Sequence, residues 1–195
     1  MPETWLCVAH EKEIPDFAAL ATKGYTPLAI GIGQFHALIR FSELAALQRP
    51  AAVILAGTCG ALHEADISRI FLCNHFAFSA VAGEETPDFL EQAFTTENPR
   101  QPLLPDLPSA TVLQNYGVSL DAQKFAANAA NIPAEYPRPI LENMEAASLA
   151  VACNRLQIPF AAVLCVTNTV AADARQQWKK NFSSAGKLLR DALAG

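Results

Sequence analysis

Ala51-Ala-Val-Ile-Leu-Ala56 runs directly into Gly57-Thr58-Cys59-Gly60, and the architecture follows from that junction. A short unbroken apolar run carrying β-branched Val53 and Ile54 reads as a strand buried on both faces. The glycine-bearing tetrapeptide then reads as a tight turn at the strand's carboxyl end. Upstream, Phe35, Ala37, Leu38, Ile39, Phe41, Leu44 and Leu47 recur at helical spacing between Gln34 and about Gln48, and Pro50 closes that helix. Pro27 to Ile32 reads as an earlier strand, ended by Gly31-Ile32-Gly33. Strand, glycine turn, helix and strand within ~30 residues make a βαβ unit, which implies parallel strands and a right-handed crossover.

The same alternation continues on either side. Trp5 to Ala9 reads as a buried strand stopped by the charged cluster Glu11-Lys12-Glu13, and Pro15 opens a helix through about Thr22. Ser68 to Phe78 and Thr111 to Gln114 read as strands, Leu120 to Ala130 and Met144 to Leu156 as helices. Phe160 to Thr167 is a buried strand, and Arg175 to Ala194 an amphipathic final helix. Eight of the thirteen prolines lie between Pro87 and Pro139, so residues 81–109 read as a loop that covers the sheet rather than builds it. The pattern predicts one α/β layered domain over residues 1–195, with a mostly parallel or mixed sheet and no internal repeat.

Composition narrows the function. Of 195 residues 51% are apolar and only 17% charged, with a formal net charge of −5. Disorder of the whole chain needs the opposite balance. The acidic sum argues against nucleic acid as a partner. A surface this poor in charge is expected of a subunit that covers part of itself with a copy, hence a homo-oligomer. Met1-Pro2-Glu3-Thr4 has no basic leader, and no apolar run reaches the ~18 residues of a spanning helix, so neither export nor a membrane is expected. Cys7, Cys59, Cys73, Cys153 and Cys165 are odd in number, scattered and free of any Cys-x-x-Cys spacing. They read as reduced, buried thiols of a cytoplasmic protein, and neither a metal nor a cofactor is expected.

Four polar positions stand out. Glu145 opens a helix whose next residues are Ala, Ala, Ser, Leu and Ala, so its carboxylate is expected in a buried setting. An unpaired charge there costs several kcal/mol and demands a strong partner or a ligand. The plainer alternative is an acid stabilised at a helix N-terminus. Glu13, Thr58 to Gly60 and Asn168 each follow a predicted strand, where open α/β sheets bind ligands. Their shared placement on one sheet edge says more than any one of them.

The stretch Glu142-Asn143-Met144-Glu145-Ala146-Ala147 resembles the Met-Glu signature of the purine nucleoside phosphorylase and nucleosidase superfamily. Gly31-Ile32-Gly33, Gly57-Thr58-Cys59-Gly60-Ala61-Leu62 and Ala65-Asp66-Ile67 stand at matching spacing upstream. The resemblance implies a three-layer α/β nucleoside phosphorylase-like fold, with a mixed central sheet flanked by helices. It implies that Met144 packs on a ribose and Glu145 accepts from its hydroxyls. Glu13 falls where the 5′-methylthioadenosine/S-adenosylhomocysteine nucleosidases keep a water-activating glutamate. Asn168 falls on the leaving-group position. Amides at Thr58, Cys59 and Gly60 would line the site, and Tyr116, just before Gly117, is the candidate for stacking on the base.

Hydrolysis is the better reading within that superfamily. The hexameric phosphorylases carry a phosphate-binding Arg where this chain has Leu55, which cannot balance a phosphate dianion. Asn168, with Arg175 and Trp178 following, is similar to the futalosine hydrolases, nucleosidases that act on a hypoxanthine nucleoside. The implied activity is cleavage of the N-ribosidic bond of a 6-oxopurine nucleoside. A methylthioadenosine nucleosidase and a phosphorylase stay open as alternatives. Leu164, where nucleosidases usually have Arg, keeps open a relative that binds nucleosides without catalysis.

Overall fold

In a computed structural model the chain is described over residues 3–79, 93–99, 104 and 106–195. Strands β1 (Thr4–Val8), β2 (Tyr25–Ala29), β3 (Ala52–Ala61), β4 (Ile70–Phe78), β5 (Ala93–Thr95), β6 (Ser109–Gln114), β7 (Ile140–Asn143) and β8 (Phe160–Thr169) form one sheet. Helices α1 (Gln34–Leu47), α2 (Ala122–Ala130), α3 (Ala146–Arg155) and α4 (Ala174–Ala194) flank it. β1 lies between β2 and β3, all parallel, and β8 joins β3 on its other side, also parallel. β8 then meets β4 antiparallel, while β6 pairs in parallel with both β4 and β7. β7 returns to β3 through the antiparallel pair Gly60 and Glu142, so β3, β8, β4, β6 and β7 close a ring. The mixed α/β architecture expected from the alternation is the one observed.

Burial explains which segments became strands. β8 is buried from Phe160 to Asn168, and β3 is buried throughout except at Thr58. Strands sandwiched between helices read as continuous apolar runs. One core joins Trp5, Val53, Leu55, Phe71 and Phe76 to Ala37 and Phe41 of α1 and to Leu149 and Cys153 of α3. A second, on the opposite face, joins Leu6, Ile54, Val163 and Cys165 to Ala185, Leu189 and Leu193 of α4. All five cysteines are buried and free, and burial raises every one of their thiol pKa values.

Several local expectations are corrected. Gly57 to Gly60 is not a turn: β3 continues through it to Ala61, because β8 supplies partners along its whole length. The helix expected after Pro15 is a 3-10 helix, Phe17–Lys23, preceded by a 3-10 turn at Glu11–Glu13. β7 has no counterpart in the periodicity, being four residues between a proline-rich stretch and α3. Residues 80–92, 100–103 and 105 of the proline-rich region lie outside the described residues. Within the described part, Ala93–Thr95 does build the sheet, as β5 antiparallel to β4.

Candidate active site

Glu13 owes its position to the turn that follows β1. His10 caps the 3-10 turn by accepting from the Lys12 amide, and the chain folds back until Glu13 Oε2 accepts from the amides of Ala9 (3.0 Å) and His10 (3.3 Å). The Thr58 amide also donates to this carboxylate. Gly57 lies beneath: a Cβ there would stand in ordinary contact, 3.6 Å from both Glu13 oxygens. Burial first, and the negative charge of Glu145 second, push the Glu13 carboxyl up to about 7, against the backbone donors that lower it. A carboxylate near neutrality can take a proton from water at the pH of a cell.

Glu145 sits at the N-terminal boundary of α3 but does not cap it. Asn143 performs that task, with Oδ1 accepting from the amides of Glu145 (2.9 Å) and Ala146 (2.8 Å) while Nδ2 donates to the Thr58 carbonyl (3.1 Å). Freed of capping, Glu145 Oε1 accepts from the Gly33 amide at 2.7 Å. Burial raises its pKa, and that amide acts in the opposite sense. The Met144 amide and the Asn143 side chain act on the carboxylate in the same sense as Gly33. Met144 stands beside it, with Cε 3.8 Å from where a Cβ on Gly33 would lie.

Asn168 and Glu142 meet at the far end of β3. A Cβ at Gly60 would lie 2.9 Å from Asn168 Nδ2 and 3.4 Å from Glu142 Oε2, so a larger residue there would make the Asn168 amide shift. Asn168 Nδ2 donates one proton to the Thr169 carbonyl (3.1 Å), which leaves the other, and Oδ1 accepts from Thr167 Oγ1 (3.0 Å). Glu142 is 4% exposed and accepts from Asn115 Nδ2 (2.6 Å) and from the Ser119 amide (2.9 and 3.1 Å).

These groups line one cavity of about 700 Å³, together with Thr58, Cys59, Gly60, Ile32, Val118, Leu120, Trp178 and Phe182. Trp178 Nε1 donates to Thr58 Oγ1 at 3.2 Å, which fixes the indole over the cavity wall. Seven of the eight residues singled out in the sequence are therefore together: Glu13, Thr58, Cys59, Gly60, Met144, Glu145 and Asn168. Tyr116 is not. It is 72% exposed, packs on Phe35 at 5.8 Å between ring centroids, and leaves the lining of that segment to Val118 and Leu120. Convergence also has a cause other than a row of parallel strand ends, since β7 runs antiparallel to β3 and delivers Glu142 against Gly60.

Glu142 is the residue the sequence reading passed over. Its only signal was a carboxylate two positions before Met144, in a strand too short to show a period. Leu55 and Leu164 are buried core residues and do not line the cavity. Among the described residues no cluster of His, Cys, Asp or Glu could hold a metal ion, and no helix is long and apolar enough to cross a membrane.

The sequence signature of the phosphorylase superfamily matches residues 19–194. The chain belongs to that superfamily. No curated protein matches its sequence. Among solved structures, a futalosine hydrolase mutant of Helicobacter pylori superposes with a TM-score of 0.82 at 12% identity, over 99% of this chain and 97% of that one. The 5′-methylthioadenosine/S-adenosylhomocysteine nucleosidase of S. pneumoniae with a transition-state inhibitor gives 0.79 at 15%, over 98% and 96%. The H. pylori enzyme of the same name, with butyl-thio-DADMe-Immucillin-A, gives 0.82 at 12%, over 99% and 96%. At such identities the likeness is one of fold.

Proposed function

We propose that this superfamily member hydrolyses the N-ribosidic bond of a purine nucleoside, with preference for a 6-oxopurine such as inosine or futalosine. The observation that carries the reading is Glu13, a carboxyl raised to about 7, sharing one cavity with Glu145. Glu13 removes a proton from water as its oxygen bonds to C1′. The bond from C1′ to the base nitrogen breaks, its electron pair leaves with the base, and the base takes up a proton from solvent at N7. Glu145 accepts from the ribose hydroxyls, and Met144 packs on the sugar as positive charge develops there.

Asn168 and Glu142 support the choice of base. A 6-oxopurine offers an acceptor at O6 beside a donor at N1–H, whereas adenine reverses both. The amide of Asn168 supplies the donor, and Glu142 is acceptor only. A buried polar group left facing the wrong partner costs ~1–3 kcal/mol, so the pair favours the 6-oxo edge roughly 10–100-fold. A methylthioadenosine nucleosidase remains the alternative, since such enzymes share the fold.

Steady-state kcat/KM values for inosine, 1-methylinosine, adenosine and methylthioadenosine test this. Inosine is expected to lead, and 1-methylinosine, lacking N1–H, to fall at least about tenfold behind it. Asn168→Asp is expected to move relative activity toward the 6-amino substrates. Equal or higher values for methylthioadenosine in the unaltered protein overturn the 6-oxopurine assignment.

A further inference from the structure

Glu13 is confined from two sides, and the second side comes from the opposite end of the chain. Its side chain lies over Gly57 of β3, while its main chain lies against Gly186 in the middle of α4. A Cβ built on Gly186 would run into the Glu13 carbonyl oxygen, and would stand 3.3 Å from the carbonyl carbon and 3.1 Å from Pro15 Cδ. Glycine inside a helix is less favourable than alanine, because its backbone loses more freedom on folding. Nothing about the backbone of α4 asks for it, because Gly186 is not among the positive-φ residues. Flanking residues show what the glycine permits. Ala185 and Leu189 of α4 pack with Ile14, Phe17 and Leu20, so the helix is drawn tightly onto the segment that follows Glu13.

We infer that Gly186 is a positioning residue for Glu13: the absent side chain lets α4 press the Glu13 main chain toward β3 and so fixes where the carboxylate meets the attacking water. The inference rests on the nucleosidase reading for its kinetic consequence but not for its geometry. A methyl group at 186 must displace either the helix or the Glu13 carbonyl. Displacement of a reacting group by about 1 Å can cost on the order of 100-fold in rate. Glu145, Met144 and Asn168 are carried by other elements, and the cavity-lining Trp178 and Phe182 of α4 lie a turn or more before residue 186, so nucleoside binding is expected to survive.

The test compares Gly186→Ala with Lys187→Ala, an exposed neighbour on the same helix. Each is assayed for kcat, for nucleoside Kd by equilibrium binding with inosine, and for Tm. For Gly186→Ala, kcat is expected to fall on the order of 100-fold with Kd within about threefold and the protein still folded at a lower Tm, while Lys187→Ala stays at the starting values. A kcat within threefold of the unaltered protein contradicts the inference. So does a variant that neither folds nor binds, which would make the contact one of stability. If the unaltered protein releases base from no nucleoside, the functional reading fails alone. Positioning is then read from the carboxyl carbon resonance of Glu13, expected to shift in Gly186→Ala and not in Lys187→Ala; an unmoved resonance contradicts it.

Discussion

Glu13 carries an unusual load for one side chain, since ionising it works against the fold that holds it. Its folded-state pKa of about 7 exceeds the ordinary 4.5, so between those values the native state holds a proton that the unfolded chain has released. Stability therefore declines as pH rises from about 4.5 to about 7 and levels off above. Allowing for partial exposure, the ionised group costs about 1–3 kcal/mol. Glu13→Gln is expected to raise Tm at pH 8 more than at pH 5, in thermal melts at both values, and to abolish turnover while nucleoside still binds. The sign for activity is the reverse of that for stability. The base works only when ionised, so kcat/KM is expected to fall about tenfold per unit as pH drops below about 7. A profile flat from pH 8 to pH 5 contradicts the role of Glu13, as does comparable turnover by the Gln variant.

Helix α3 and strand β3 show what an element contributes beyond its span. Asn143 caps α3 and ties it to the Thr58 carbonyl of β3, so one amide sets the distance between the Glu145 and Glu13 sides of the cavity. Asn143→Ala is expected to cost about 1–2 kcal/mol in denaturant unfolding, the usual range for a lost cap. It is also expected to raise the inosine KM, because Thr58 and Glu145 loosen together; unchanged stability and KM contradict that coupling. Elements with a strong period were legible in the sequence: α1, α4, β8 and the strand half of β3 follow from their apolar spacing. Gly57 to Gly60 misled, because glycines signal a turn locally while extended pairing with β8 overrides them. β7 was invisible at four residues, and with it Glu142, whose importance arises only when β7 closes the ring on Gly60. Tyr116 failed for a related reason, since a residue in a short connection has no period to say which way it points.

At the scale of the molecule, the ring of β3, β8, β4, β6 and β7 brings residues from both ends of the chain to one cavity. Glu13 from the turn after β1, Glu145 from the N-terminal boundary of α3 and Asn168 from β8 line that cavity together. Such convergence suits a reaction in which a bond is broken between two parts of one small molecule, each part held by a different wall. The proposed hydrolysis requires water, and not phosphate, as the nucleophile. Inosine incubated with the protein, with and without added phosphate, and analysed by chromatography for both halves of the product, tests it most directly. Hydrolysis would give hypoxanthine with free ribose, at a rate indifferent to phosphate. Ribose 1-phosphate formed only when phosphate is present, or no free base under either condition, would contradict it.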